Sequence, residues 1–205
     1  MSRLPYYNPE LSRAENSPSQ PSILEAIGVL EDSRLQQEIA AGNISLAMIR
    51  PHVGPEANVL GLPDLEASDE IEGLIQGLGF AAKFSFQFTK EAVEDFYGGD
   101  PRDGMSQGIA KDSGKYANRW LEFVDFMTSG PTTAILLYSP NGDAIQSWRS
   151  HLGHWNIDKE RDLNTIRGKL GVDKFNNLVH GSDSPQSVIR ELEIIKSCLR
   201  GSPED

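Results

Sequence analysis

The chain has 205 residues, 38% hydrophobic and 24% charged, with a net charge of −11. That length supports one well-buried core with appendages, and the acidic balance argues against a general nucleic-acid binder, which needs a cationic excess to offset phosphates. A single cysteine, Cys198, excludes a disulfide framework within the chain and fits a reducing cytoplasm, and the best apolar run, 133–138, is far too short to span a membrane.

In chain order, residues 1–21 are rich in Pro, Ser, Asn and Glu, lack the apolar stretch of a secretory leader, and read as a flexible arm. Residues 22–43 read as a helical extension. Ile23, Ile27 and Leu30 recur at helical spacing, Ser22 with Glu25 suits a capping box, and a second helix at 33–41 ends at Gly42-Asn43. The main domain is expected over 44–199. It opens with an apolar strand at 44–49, whose exit, Arg50-Pro51-His52, carries a cation and an imidazole. A turn-rich stretch at 55–67 precedes a helix at 68–77. Residues 80–88 alternate through Phe84, Phe86 and Phe88, the pattern of a strand with one buried face. Thr89 suits the cap of a helix reaching Phe96-Tyr97, and the polar, glycine-rich residues 98–114 read as a surface insertion.

A helix at 116–127 is stopped by Ser129-Gly130-Pro131. A strong strand follows at 132–139. The turn Pro140-Asn141-Gly142-Asp143 then leads into a helix carrying Ala144, Ile145 and Trp148 and ending near Gly153. Residues 155–176 read as irregular. A short strand is expected to deliver His180, followed by a last helix from Pro185 to about Leu199 and a frayed end at 200–205. This order predicts an α+β fold: a ferredoxin-like, split βαβ antiparallel sheet with helices packed on one face.

Chemistry concentrates in Asn177-Leu178-Val179-His180-Gly181-Ser182-Asp183-Ser184. An imidazole sits at a tight turn before a helix that Ser184 can cap and Pro185 can begin. Helix N–H groups and the positive dipole end favour a phosphate there, and Gly181 removes a Cβ that would obstruct a close ligand. His180 therefore reads as a phosphate-handling nucleophile, against the simpler reading of a buried histidine before a turn. Arg149 and Arg167 are candidate phosphate clamps. Solvated surface arginines are the competing reading, weakened for Arg167 by the glycine that follows it. Glu191 could accept a hydrogen bond from the imidazole and fix its tautomer, with Ser182 joining the network. On spacing alone, an exposed helix carboxylate is the simpler account of Glu191. Neither a Gly-Lys-Ser/Thr phosphate loop nor a Gly-x-Gly-x-x-Gly turn is present, and His151 and His154 lack a strong zinc spacing, so no protein-held metal is expected.

The histidine segment resembles the active-site signature of nucleoside diphosphate kinases. Ile49-Arg50-Pro51, Ser129-Gly130-Pro131, Arg149 with Leu152-Gly153, and Thr165-Ile166-Arg167-Gly168 fall in that family's order. The resemblance covers roughly 44–197. It implies transfer of the γ-phosphate of a nucleoside triphosphate to a nucleoside diphosphate through a phosphohistidine on His180, oriented by Glu191 and Ser182. It further implies a nucleotide contact from Arg50, phosphate contacts from Arg149 and Arg167, Tyr97 near the γ-phosphate, Asn177 at the ribose and Trp120 against the base. Mg2+ would arrive bound to the nucleotide, and the chain would act as a homo-oligomer. The chain departs from the family pattern at Arg50 (for lysine), His52 (for aspartate), Trp155, Lys174 and the insertion. These departures motivate a competing reading, a nucleotide-binding or protein-interaction module with weak or no kinase activity.

Overall fold

The computed structural model describes residues 23–51, 78–98, 119–171 and 177–201. The expected arm, the Ser22 cap, the stretches at 55–67 and 68–77, His52, Lys174 and all but the first residue of the 98–114 insertion lie outside them.

Numbered among the described residues, the elements are α1 (Ile23–Glu31), α2 (Ser33–Ala40), β1 (Ile44–Ile49), β2 (Gly79–Phe86) and α3 (Lys90–Val93), which widens into a π-helical turn (Glu94–Gly98). Then come α4 (Arg119–Met127), β3 (Thr132–Tyr138), α5 (Ala144–Leu152), α6 (Ile166–Leu170), β4 (Val179–Gly181) and α7 (Pro185–Gly201). The four strands form one sheet in the order β2-β3-β1-β4, and each neighbouring pair is antiparallel. That order is the split βαβ arrangement, with β4 returning to lie beside β1.

Helices cover both faces of the sheet, not one. The reason is legible in β1, whose Ile-Ser-Leu-Ala-Met-Ile is buried at every position. A strand without polar alternation leaves neither face for water. Ile44, Leu46 and Met48 join Ala134 and Leu136 against residues of α1, α2, α3, α4 and α7, including Leu30, Ile39, Val93, Met127, Val188 and Ile195. Ala47, Ile49, Ile135 and Leu137 face Ala144, Trp148 and Leu152 of α5 and Ile166 of α6. The helical extension thus contributes Ala26, Leu30, Leu35 and Ile39 to the same core as the sheet.

Side-chain caps set several helix starts. Asp32 accepts from the Arg34 N–H at 2.9 Å, Thr89 from the Ala92 N–H at 3.1 Å, and Ser184 from the Ser187 N–H at 3.1 Å. Each satisfies a donor with no intrahelical partner, worth about 1 kcal/mol.

Four local expectations change. β2 stops at Phe86, although Phe88 stays buried beyond it. The segment at 155–176 holds a helix, α6, because the Thr165 hydroxyl accepts from the Gly168 N–H at 3.2 Å. β4 contains His180 at its centre, where it pairs with Met48 across the ladder. The last helix continues to Gly201, since Cys198 and Leu199 are buried in the core and Arg200 pairs with Glu31 of α1; residues 202–205 lie outside the described set.

Candidate active site

The chain reverses immediately before His180. Leu178 adopts a positive φ of 69°, and the Val179 N–H donates to the Asn177 carbonyl at 2.8 Å. This is a γ-turn, a costly conformation for a non-glycine residue. It is held from the neighbouring strand exit, where the Arg50 N–H donates to the Leu178 carbonyl at 2.9 Å.

Glu191 is buried, not exposed. It lies on the inward side of α7, and its Oε2 is 3.1 Å from His180 Nε2. The Ser182 hydroxyl donates to the same oxygen at 2.5 Å. Assigned from this contact, the imidazole carries its proton on Nε2 and presents the lone pair of Nδ1. The His180 side chain is 12% exposed and that of Glu191 5%, so the carboxylate is shielded while the ring retains access. Phe96 and Tyr97, both in the π-helical turn, meet the imidazole edge-on at centroid distances of 5.1 and 5.9 Å. Trp148 Nε1 donates to the His180 carbonyl at 3.2 Å.

Gly181 is required for a different reason than ligand access. A Cβ there would lie 2.4 Å from Trp148 Nε1 and 2.7 Å from Leu152 Cδ1. The glycine lets β4 settle against the buried tryptophan, which in turn holds the histidine's backbone.

The arginines gather beside this strand. Arg167 is buried, and its Nη1 and Nη2 donate to the Gly153 and Val179 carbonyls, each at 3.1 Å. Its Nε has no hydrogen-bond partner among the described residues. Arg50 is buried as well. Its guanidinium lies 5.5 Å from the Tyr97 ring centroid and 5.4 Å from that of Phe123, and its Nη1 donates to Asn177 Oδ1 at 2.7 Å. Arg149 is exposed on α5, with Nη1 3.5 Å from the Gly181 carbonyl. Burial, and then the neighbouring guanidiniums of Arg50 and Arg149, pull Arg167 down to about 9. A buried cation repelled by two others is relieved by an anion, and guanidinium forks match phosphate oxygens.

Of the residues singled out in sequence, His180, Ser182, Glu191, Tyr97, Arg50, Asn177 and Arg167 converge, with Arg149 at their edge. Among the described residues, the Trp120 ring meets that of Phe123 at 5.9 Å, and Trp120 is partly buried against the core. Asn177 is buried and also donates from Nδ2 to the Trp155 carbonyl at 3.1 Å, an anchoring bond with no sequence signal. His154 engages the backbone of Asn156, and no group of three or more His, Cys, Asp or Glu side chains suited to a metal occurs among the described residues. Phe96, Phe123 and Trp148 are site-forming residues that sequence reasoning missed, because each looks like an ordinary core position.

The nucleoside diphosphate kinase family profile matches residues 68–197. The chain belongs to the nucleoside diphosphate kinase family. It is 32% identical over 130 residues to the nucleoside diphosphate kinase of Aquifex aeolicus, covering 60% of this chain and 78% of that protein. It is 44% identical over 71 residues to that of Mycolicibacterium vanbaalenii, 35% of this chain, and this match spans 51% of the relative's length. The same identity over 71 residues links it to nucleoside diphosphate kinase 6 of Rattus norvegicus, there covering 34% of this chain and 39% of the relative. A crystal structure of the Aquifex aeolicus nucleoside diphosphate kinase superposes with a TM-score of 0.52 at 28% identity, over 75% of this chain and 94% of that one. The family match contains His180, Glu191, Ser182, Tyr97, Trp120, Arg149, Arg167 and Asn177. Arg50, α1 and α2 precede it.

Proposed function

We propose that this nucleoside diphosphate kinase family member transfers the γ-phosphate of a nucleoside triphosphate to a nucleoside diphosphate through a phosphohistidine on His180. The observation that carries this reading is the Nε2 contact with Glu191, which leaves Nδ1 as the nucleophile. The Nδ1 lone pair attacks the γ-phosphorus. A P–N bond forms, the bond to the β–γ bridging oxygen breaks, and its electron pair departs on the diphosphate. A terminal phosphate oxygen of the acceptor diphosphate then attacks the same phosphorus, and the P–N pair returns to Nδ1. The Nε2 proton stays on the imidazole, held against the Glu191 carboxylate throughout, so no proton need leave the site.

Arg167, Arg149 and Arg50 hold phosphate oxygens in this scheme, Tyr97 lies by the γ-phosphate, Asn177 faces the ribose, and Trp120 stacks on the base. Mg2+ would arrive with the nucleotide and neutralise part of its phosphate charge. By its family resemblance the chain is read as a homo-oligomer, and by its single cysteine as cytoplasmic.

The test is incubation of the full chain with γ-labelled ATP and an alkaline quench. Wild-type protein is expected to take an acid-labile label, and His180→Ala to fall by about 10^4-fold or more. ADP binding in calorimetry without label transfer would instead support the binding-module reading.

A further inference from the structure

Arg190 stands one residue before Glu191 on α7. Its Nη1 donates to the Asp95 carbonyl at 3.0 Å and to the Phe96 carbonyl at 3.2 Å. Its Cζ lies 5.8 Å from the Phe96 ring centroid, and its Nη2 is 3.6 Å from Glu191 Oε1. The two carbonyls belong to the π-helical turn Glu94–Gly98. The final carbonyls of a helix lack partners within it, and a π turn is a rare geometry that outside contacts must support. One guanidinium therefore bridges the turn that presses Phe96 and Tyr97 against the imidazole and the carboxylate that holds the ring's other side. Glu191 divides its oxygens accordingly: Oε2 takes His180 and Ser182, and Oε1 faces Arg190. A lone surface ion pair at 3.6 Å would contribute little. The double carbonyl contact across about 95 residues of sequence sets this arginine apart from one.

We infer that Arg190 is a positioning residue for His180, locking the imidazole as the Nε2–H tautomer by fixing both the aromatic turn and the Glu191 carboxylate. Its consequence for phosphoryl transfer rests on the proposed role of His180; its effect on the ring does not.

The experiment compares wild type, Arg190→Met and Arg190→Lys in the full chain. Long-range 1H–15N NMR reads the His180 tautomer, γ-labelled ATP reads phosphohistidine formation, and calorimetry reads ADP binding. Wild type is expected to show the Nε2–H form. Arg190→Met is expected to show a mixture and to label roughly 10- to 100-fold more slowly, with ADP affinity changed by less than about twofold. Arg190→Lys, which keeps a donor, recovers part of both losses. An unchanged tautomer in Arg190→Met overturns the inference. So does equal loss of ADP affinity and thermal midpoint in both variants, the signature of a merely structural residue. If wild type takes no label, the kinase reading fails while the tautomer comparison still decides the role of Arg190.

Discussion

The histidine end of the site and its arginine end are built on opposite principles. Around His180 the described polar groups are matched: Nε2 to Glu191, Ser182 to the same carboxylate, the backbone carbonyl to Trp148. Around Arg167 the neighbours are two carbonyls and two further cations. At the first end only the His180 Nδ1 lone pair is left to face outward. The second gathers three guanidiniums in a protein whose overall charge is −11. Preorganisation and charge thus divide between the two ends: one fixes the imidazole of His180, and the other gathers guanidiniums suited to an anion.

That division predicts that binding and chemistry separate by mutation. Arg167→Met should raise the dissociation constant for ADP by roughly 10- to 100-fold in calorimetry, since charged hydrogen bonds contribute about 1.5–3 kcal/mol each. Similar ADP affinity in the variant would break the comparison. Glu191→Gln should do the reverse. Single-turnover labelling is expected to slow by about tenfold as the imidazole loses its anionic partner, with ADP affinity nearly unchanged. A loss of binding equal to the loss of rate would show that the two ends are not independent.

The smallest effect is in pH. Arg167 is cationic in the free protein below about 9. Anion binding favours the charged form, so this group leaves affinity flat below that value and weakens it as pH rises through it. Above about pH 9 the ADP dissociation constant should rise over its neutral value, and Arg167→Met should remove that dependence. Binding that strengthens above pH 9 would contradict the assignment.

Much of the backbone was legible along the chain. β1 matched its expected 44–49 span, β3 ended within a residue of expectation, and the Thr89 and Ser184 caps fell where hydroxyls precede helical patterns. These features depend on neighbours a few positions apart, which is the range over which propensity, capping and apolar spacing act. The π-helical turn was not legible, because a π turn leaves no mark in apolar periodicity.

The candidate site was legible as a set of residue types and not as a set of contacts. His180, Arg167 and Glu191 could be named, yet spacing favoured an exposed Glu191, which the structure buries. The rotation and docking of α7 decide that, through Val188, Leu192 and Ile195 in the core. Arg50 and Asn177 pair although 127 residues apart, because β1 and β4 are neighbours in the sheet. Gly181 was readable as a necessary glycine, but its reason, the indole of Trp148, lies on another element. Sequence determined β1, most of β3, the Thr89 and Ser184 caps and which side chains could handle phosphate, since those follow from local covalent and steric rules. Only the tertiary structure decided which of those side chains lost water and which met, because sheet register and helix docking bring together groups that no local rule connects.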